Sequence, residues 1–138
     1  MSAPSHPPLG VAQIHISVSD LARSLEFYRD QLGVPFLFEV PGQAMAFLQC
    51  GPTRLYLGIP ESPQFRSRPV LYLEVADIQA AHAEMAERGA VFEDLPHCVH
   101  RTDTTELWMA FTRDPDGNAV AITQDRPAGA AGSADRHG

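Results

Sequence analysis

Val18-Ser19-Asp20-Leu21, followed by Ser24-Leu25-Glu26-Phe27-Tyr28-Arg29-Asp30-Gln31-Leu32-Gly33, is the stretch on which the fold turns. Just before it, Gln13-Ile14-His15-Ile16-Ser17-Val18-Ser19 alternates polar with apolar residues, the period of a half-buried strand. Asp20 has the short acceptor side chain of a helix cap. Leu21, Leu25, Tyr28 and Leu32 then share one helical face. Gly33 tolerates the left-handed backbone that ends a helix, and Pro35 forbids its continuation. Three strand-like runs follow at 35–40, 44–50 and 53–58, separated by Pro41-Gly42 and Gly51-Pro52.

The same order returns further on. Val70-Leu71-Tyr72-Leu73-Glu74-Val75 reads as a strand, and Asp77 caps a helix whose face carries Ile78, Ala81, His82 and Met85. Gly89 ends it. Runs at 90–95, 106–113 and 118–123 read as strands, with Asp114-Pro115-Asp116-Gly117 as a tight turn between the last two. Asp77 follows Asp20 by 57 residues and Gly89 follows Gly33 by 56, so the chain holds two β-α-β-β-β units. One such unit cannot bury both faces of its sheet, so the two must combine into one α+β domain. The expected organisation is an arm over residues 1–10, a domain over 11–125 (modules 11–60 and 68–125) and a disordered Ala/Gly-rich tail over 126–138.

Bulk properties exclude several classes. The net charge is −7 over 138 residues, with no Lys/Arg cluster, so nucleic acid and anionic membranes are not expected partners. No apolar run nears the roughly 18 residues of a membrane span. The Pro-rich start lacks the charged-then-apolar pattern of a signal peptide, so a cytoplasmic location is expected, with Cys50 and Cys98 as reduced thiols. GxGxxG, GxxxxGK[ST] and GxSxG are all missing.

The two quoted stretches, together with Phe111-Thr112-Arg113-Asp114-Pro115-Asp116-Gly117-Asn118, resemble the glyoxalase, bleomycin-resistance and extradiol-dioxygenase group, the vicinal-oxygen-chelate superfamily. The resemblance spans about residues 11–124. It implies two βαβββ modules whose mixed sheet curls around a cavity, helices outside, and a homodimer acting on or binding a small molecule. It also implies a divalent metal, held by a His seven residues before the strand-end Asp and a Glu on the last strand of each half. Those four places read Gln13, Tyr56, Val70 and Ala121 here. Val and Ala cannot ligate, and Gln and Tyr are poor ligands for a catalytic divalent ion, so no metal is expected except at a relocated site.

The period-2 rule turns Gln13, His15, Ser17, Arg54, Tyr56, Gly58, Val70, Tyr72, Glu74, Ala119, Ala121 and Thr123 toward the cavity. On that reading His15 is a candidate base and Glu74 its orienting partner, with Arg54, Tyr56 and Tyr72 as donors. The His97-Cys98-Val99-His100-Arg101 cluster is expected in a loop at the cavity rim. His100 and Glu106 could reach inward from there as a second acid/base pair. Gln13, Trp108 and Ala121 complete the expected substrate-binding set. The leading expectation is proton-transfer chemistry (lyase, isomerase or epimerase) on a small oxygenated or aromatic compound. Two rivals remain: a metal-free antibiotic- or metabolite-binding protein, and a metal-dependent lyase or dioxygenase with relocated ligands.

Overall fold

Strand β1 (Gln13–Ser17) leads through Asp20 into helix α1 (Leu21–Leu25), where the Asp20 carboxylate accepts from the Arg23 backbone N–H at 3.2 Å. Such a cap is worth about 1 kcal/mol. The helix widens into a π-helical segment, Glu26–Gln31, in which Leu32 N–H donates to Phe27 O five residues back. That wider turn rotates the following residues, so Phe27 and Tyr28 are both buried, whereas the regular 3.6-residue period selected only Tyr28. Strands β2 (Phe36–Glu39), β3 (Met45–Cys50) and β4 (Thr53–Gly58) complete the first half. The second half contains β5 (Leu71–Glu74), α2 (Ile78–Glu87), β6 (His97–Arg101), β7 (Thr105–Arg113) and β8 (Ala119–Pro127). This is a computed structural model, and it describes residues 4–129.

Each half forms a four-stranded mixed sheet, ordered β1-β4-β3-β2 in the first and β5-β8-β7-β6 in the second. The first and last strands of each half run parallel and the other pairs antiparallel. The sheets are curled and do not close into a barrel. Ile16, Leu55 and Leu57 of the first sheet and Ala110, Val120 and Ile122 of the second turn to the helix side, where they join Leu25, Tyr28 and Ile78 in one buried cluster. The halves are tied together by Tyr28, whose hydroxyl donates to Asp114 at 2.8 Å, and by Arg88, whose guanidinium donates to the Gln31 carbonyl at 3.1 Å.

Three expectations need correction. Residues 90–95 do not form a strand: only Phe92 makes a bridge, to Thr112. There the Asp94 side chain takes the Phe111 N–H at 2.8 Å, so a side chain occupies part of the ladder. The edge strand is instead β6, in the segment expected to be a loop. Finally, β8 continues to Pro127, and Ala128 N–H donates to Thr104 O at 2.9 Å, so Arg126 and Pro127 belong to the sheet and not to a tail. Residues 130–138 of the expected tail and 1–3 of the expected arm lie outside the described residues. Cys50 and Cys98 are free thiols. Among the described residues no helix is long and apolar enough to cross a membrane.

Candidate functional site

Four rings stand side by side across the inner face of the first sheet. The strand register sets His15 opposite Tyr56, Tyr56 opposite Phe47 and Phe47 opposite Phe38. Alternation sends every one of these to the face away from the helix, because Ile16, Leu55, Leu57, Ala46 and Leu48 occupy the other. Ring centroids lie 4.6, 4.9 and 4.8 Å apart along the row, and the Phe47–Tyr56 and Phe38–Phe47 pairs are stacked. Gly58 makes room at its centre: a Cβ there would meet Tyr56 Cε1 at 2.8 Å. The segment after β4, with its short 3-10 turn at Pro63–Phe65, forms a wall beside the His15 end. It encloses a cavity of about 330 Å³ lined by Gln13, His15, Tyr56, Pro60, Glu61 and Phe65.

His15 is held from one side. Its Nε2 lies 3.1 Å from Ser17 Oγ, which also accepts from the Ser67 backbone N–H at 2.8 Å. Nδ1 is buried with no partner. A buried N–H without an acceptor is costlier than an unused lone pair, so we assign the proton to Nε2, which donates to Ser17. Burial lowers the His15 pKa below its ordinary 6.5, so the ring is neutral at pH 7. Gln13 accepts from Arg54 Nε at 3.1 Å, at the exposed end of the same strand pair.

The remaining candidates are spread over other places. Tyr72, Glu74 and Ala121 do lie on the inner face of the second sheet, where the small Ala121 stands between Tyr72 and Phe111 in the register. The two rings meet edge to face at 6.3 Å. Glu74 is exposed, and among the described residues no hydrogen bond or ion pair joins it to His15. A register shift between Cys98 and His100 pairs His97 with Met109 and His100 with Leu107, so both histidines fall on the inner side despite their odd spacing. Glu106 and Trp108 fall on the opposite side and do not reach the cavity. Both are buried. There Glu106 accepts from Trp108 Nε1 and from Arg101 Nε, each at 3.0 Å, and the Arg126 guanidinium lies 4.0 Å over the Trp108 ring. Those donors, Trp108 first, hold the Glu106 carboxyl below the usual glutamate range. It is an ion-paired structural group, and expecting it beside His100 as an acid/base partner overlooked which face it occupies.

Several residues of the ring row and of the cavity beside it were not singled out from sequence. Phe38 and Phe47 obey the same alternation rule that found Tyr56. Pro60, Glu61 and Phe65 lie between the repeats, where no periodic signal exists.

The sequence model of the Glyoxalase/Bleomycin resistance protein/Dioxygenase superfamily matches residues 10–122. The chain belongs to that superfamily. Among relatives, an uncharacterized Bacillus subtilis protein, YraH, is 29% identical, over 80% of this chain and 94% of its own. A superfamily member from Sphaerobacter thermophilus superposes with a TM-score of 0.67 at 25% identity, covering 85% of this chain and 98% of that one. Lactoylglutathione lyase from Agrobacterium tumefaciens gives 0.67 at 20% identity, covering 86% and 95%, which is a likeness of fold. At the four places where the sequence resemblance would put metal ligands, Gln13, Tyr56, Val70 and Ala121, the donor set does not fit a divalent ion. Val70 and Ala121 offer no donor atom, and the Gln13 amide oxygen already accepts from Arg54. Among the described residues no three His, Cys, Asp or Glu side chains gather to hold one.

Proposed function

We propose that this superfamily member binds a small planar aromatic molecule against the inner face of its first sheet, without the superfamily's metal. The observation that carries this reading is the ring row His15–Tyr56–Phe47–Phe38, stacked from Tyr56 to Phe38, beside a cavity of about 330 Å³. Because Tyr56, Phe47 and Phe38 stack on one another, they turn ring edges to the inner face, and a further ring can meet those edges edge to face, worth about 0.5–1.5 kcal/mol per ring pair beyond burial. A volume of a few hundred Å³ suits a ligand of two or three fused rings. Binding is favoured over proton transfer because neither nitrogen of His15 is offered to a substrate. Nε2 is spent on Ser17, Nδ1 is buried, and among the described residues no hydrogen bond or ion pair joins Glu74 to the ring.

The test is calorimetric titration with 2-naphthamide, an uncharged two-ring probe, on the native chain and on Tyr56→Ala. Saturable binding near one per chain, weakened at least severalfold by Tyr56→Ala, is the expected result. No binding, or binding indifferent to Tyr56→Ala, overturns the proposal. A homodimer is proposed as well, because Phe36, Leu37 and Phe38 on the edge strand and Val70 and Tyr72 on the second inner face are all exposed large apolar groups. A single-chain mass by light scattering at micromolar concentration would count against it.

A further inference from the structure

A second cavity of about 420 Å³ adjoins the first. Pro60 lines both, and the His15–Ser17 contact crosses between them. Its chemistry differs from that of the ring cavity. Ser17, Ser19, Arg66 and Arg68 face it, with Asp116 as its one carboxylate. Arg68 is fixed by neutral acceptors, donating to the Asn118 side-chain oxygen at 2.8 Å and to the Asp116 carbonyl at 3.0 Å, so its charge has no hydrogen-bonded carboxylate. The Asp116 carboxylate is turned to the Ser19 backbone N–H, at 3.2 and 3.3 Å from its two oxygens. The guanidinium of Arg66 has no hydrogen bond or ion pair among the described residues. Ser17 Oγ already accepts twice, from Ser67 N–H and from His15 Nε2, so its own proton is left to donate into the cleft.

We infer that this cleft is an anion subsite, and that the bound molecule is an aromatic acid whose ring packs against the edge of Tyr56 and whose carboxylate or phosphate is held by Arg66 with the Ser17 hydroxyl. Two guanidinium groups converging on one cleft stand out in a chain of net charge −7. Guanidinium matches either oxyanion with paired, charge-assisted hydrogen bonds. Glu61 lines the ring cavity and Asp116 the cleft, so an acid whose charge missed Arg66 would be repelled. The inference rests on the ring-binding reading above.

The experiment compares 2-naphthoate, 2-naphthyl phosphate and uncharged 2-naphthamide by calorimetry, on the native chain, Arg66→Gln and Tyr56→Ala. The ring is constant and only the anion changes. One or both acids should bind roughly tenfold or more tightly than the amide, the magnitude of a charge-assisted pair, and the tighter acid names the group. Arg66→Gln should erase that preference while leaving amide binding in place, and Tyr56→Ala should weaken all three probes. Equal affinity for amide and both acids, or a preference that survives Arg66→Gln, overturns the anion subsite and leaves the ring site standing. Failure of every probe to bind overturns both.

Discussion

Tyr28, on the helix of the first half, donates its hydroxyl to the Asp114 carboxylate at 2.8 Å, 86 residues away in the turn between the last two strands. Asp114 also accepts from the backbone N–H groups of Asp116 and Asn118 and from the Asn118 side-chain amide. One buried carboxylate thus builds the Asp114-Pro115-Asp116-Gly117 turn and fastens the first module to it. Burial, and then the Asp114 charge, raise the Tyr28 pKa far beyond its ordinary value, so the hydroxyl stays protonated as a donor. Tyr28→Phe removes one of four donors to a group that keeps three, so the expected loss is about 1–2 kcal/mol in urea unfolding. Asp114→Ala strands all of those donors and should cost more. Equal losses for the two variants would mean that the carboxylate does not organise the turn.

Glu106 should control stability in acid. Its carboxyl is held below the ordinary 4.5, first by the Trp108 hydrogen bond and then by Arg101. A depressed folded-state pKa contributes stability that is present above the unfolded value and lost as pH falls through the folded one. Glu106→Gln should therefore lower the melting temperature at neutral pH and flatten its decline below about pH 4.5. An unchanged acid limb in the variant would show that other carboxylates set it.

His15 shifts stability in a higher window. Burial lowers its folded pKa, so the unfolded chain binds more protons as pH drops below 6.5. Stability from this residue is complete above pH 6.5 and declines as pH falls toward the lowered value. Thermal melts taken through that range should show a shallower decline in His15→Gln. A steeper decline in the variant would contradict the neutral, Ser17-bound ring.

Gly58→Ala probes the ring row without removing a ring. The new Cβ would meet Tyr56 Cε1 at 2.8 Å, and a ring edge can swing aside where backbone could not. The expected result is a change in unfolding free energy below about 1 kcal/mol, with 2-naphthamide binding weakened severalfold. Intact binding would show that the Tyr56 ring position is not part of the platform.

Metal content offers an independent check. Protein purified without a His tag should carry far less than one equivalent of any transition metal, and His15→Ala should be the same. One equivalent in the native chain that disappears in His15→Ala would point to a relocated centre and reverse the metal-free reading.

The sequence by itself determined the duplicated βαβββ plan, both helix caps, the alternation that turns His15, Tyr56, Tyr72 and Glu74 inward, and the loss of ligand atoms at Val70 and Ala121. These features depend on local chemistry and short periods, which a linear chain displays. Tertiary structure decided the rest. The π-helical turn buried Phe27 beside Tyr28, and the register shift in β6 put His97 and His100 on one face of a strand that had read as a loop. Period-2 counting could not reveal that Glu106 and Trp108 fall on the outer face, because Leu107, Met109 and Phe111 are as apolar as the alternate set Trp108 and Ala110, so β7 has no polar-apolar phase to read. The meeting of Arg66 and Arg68 with Ser17 is a matter of packing as well. Fifty residues separate Ser17 from Ser67, and only the folded chain brings the linker's N–H against that hydroxyl.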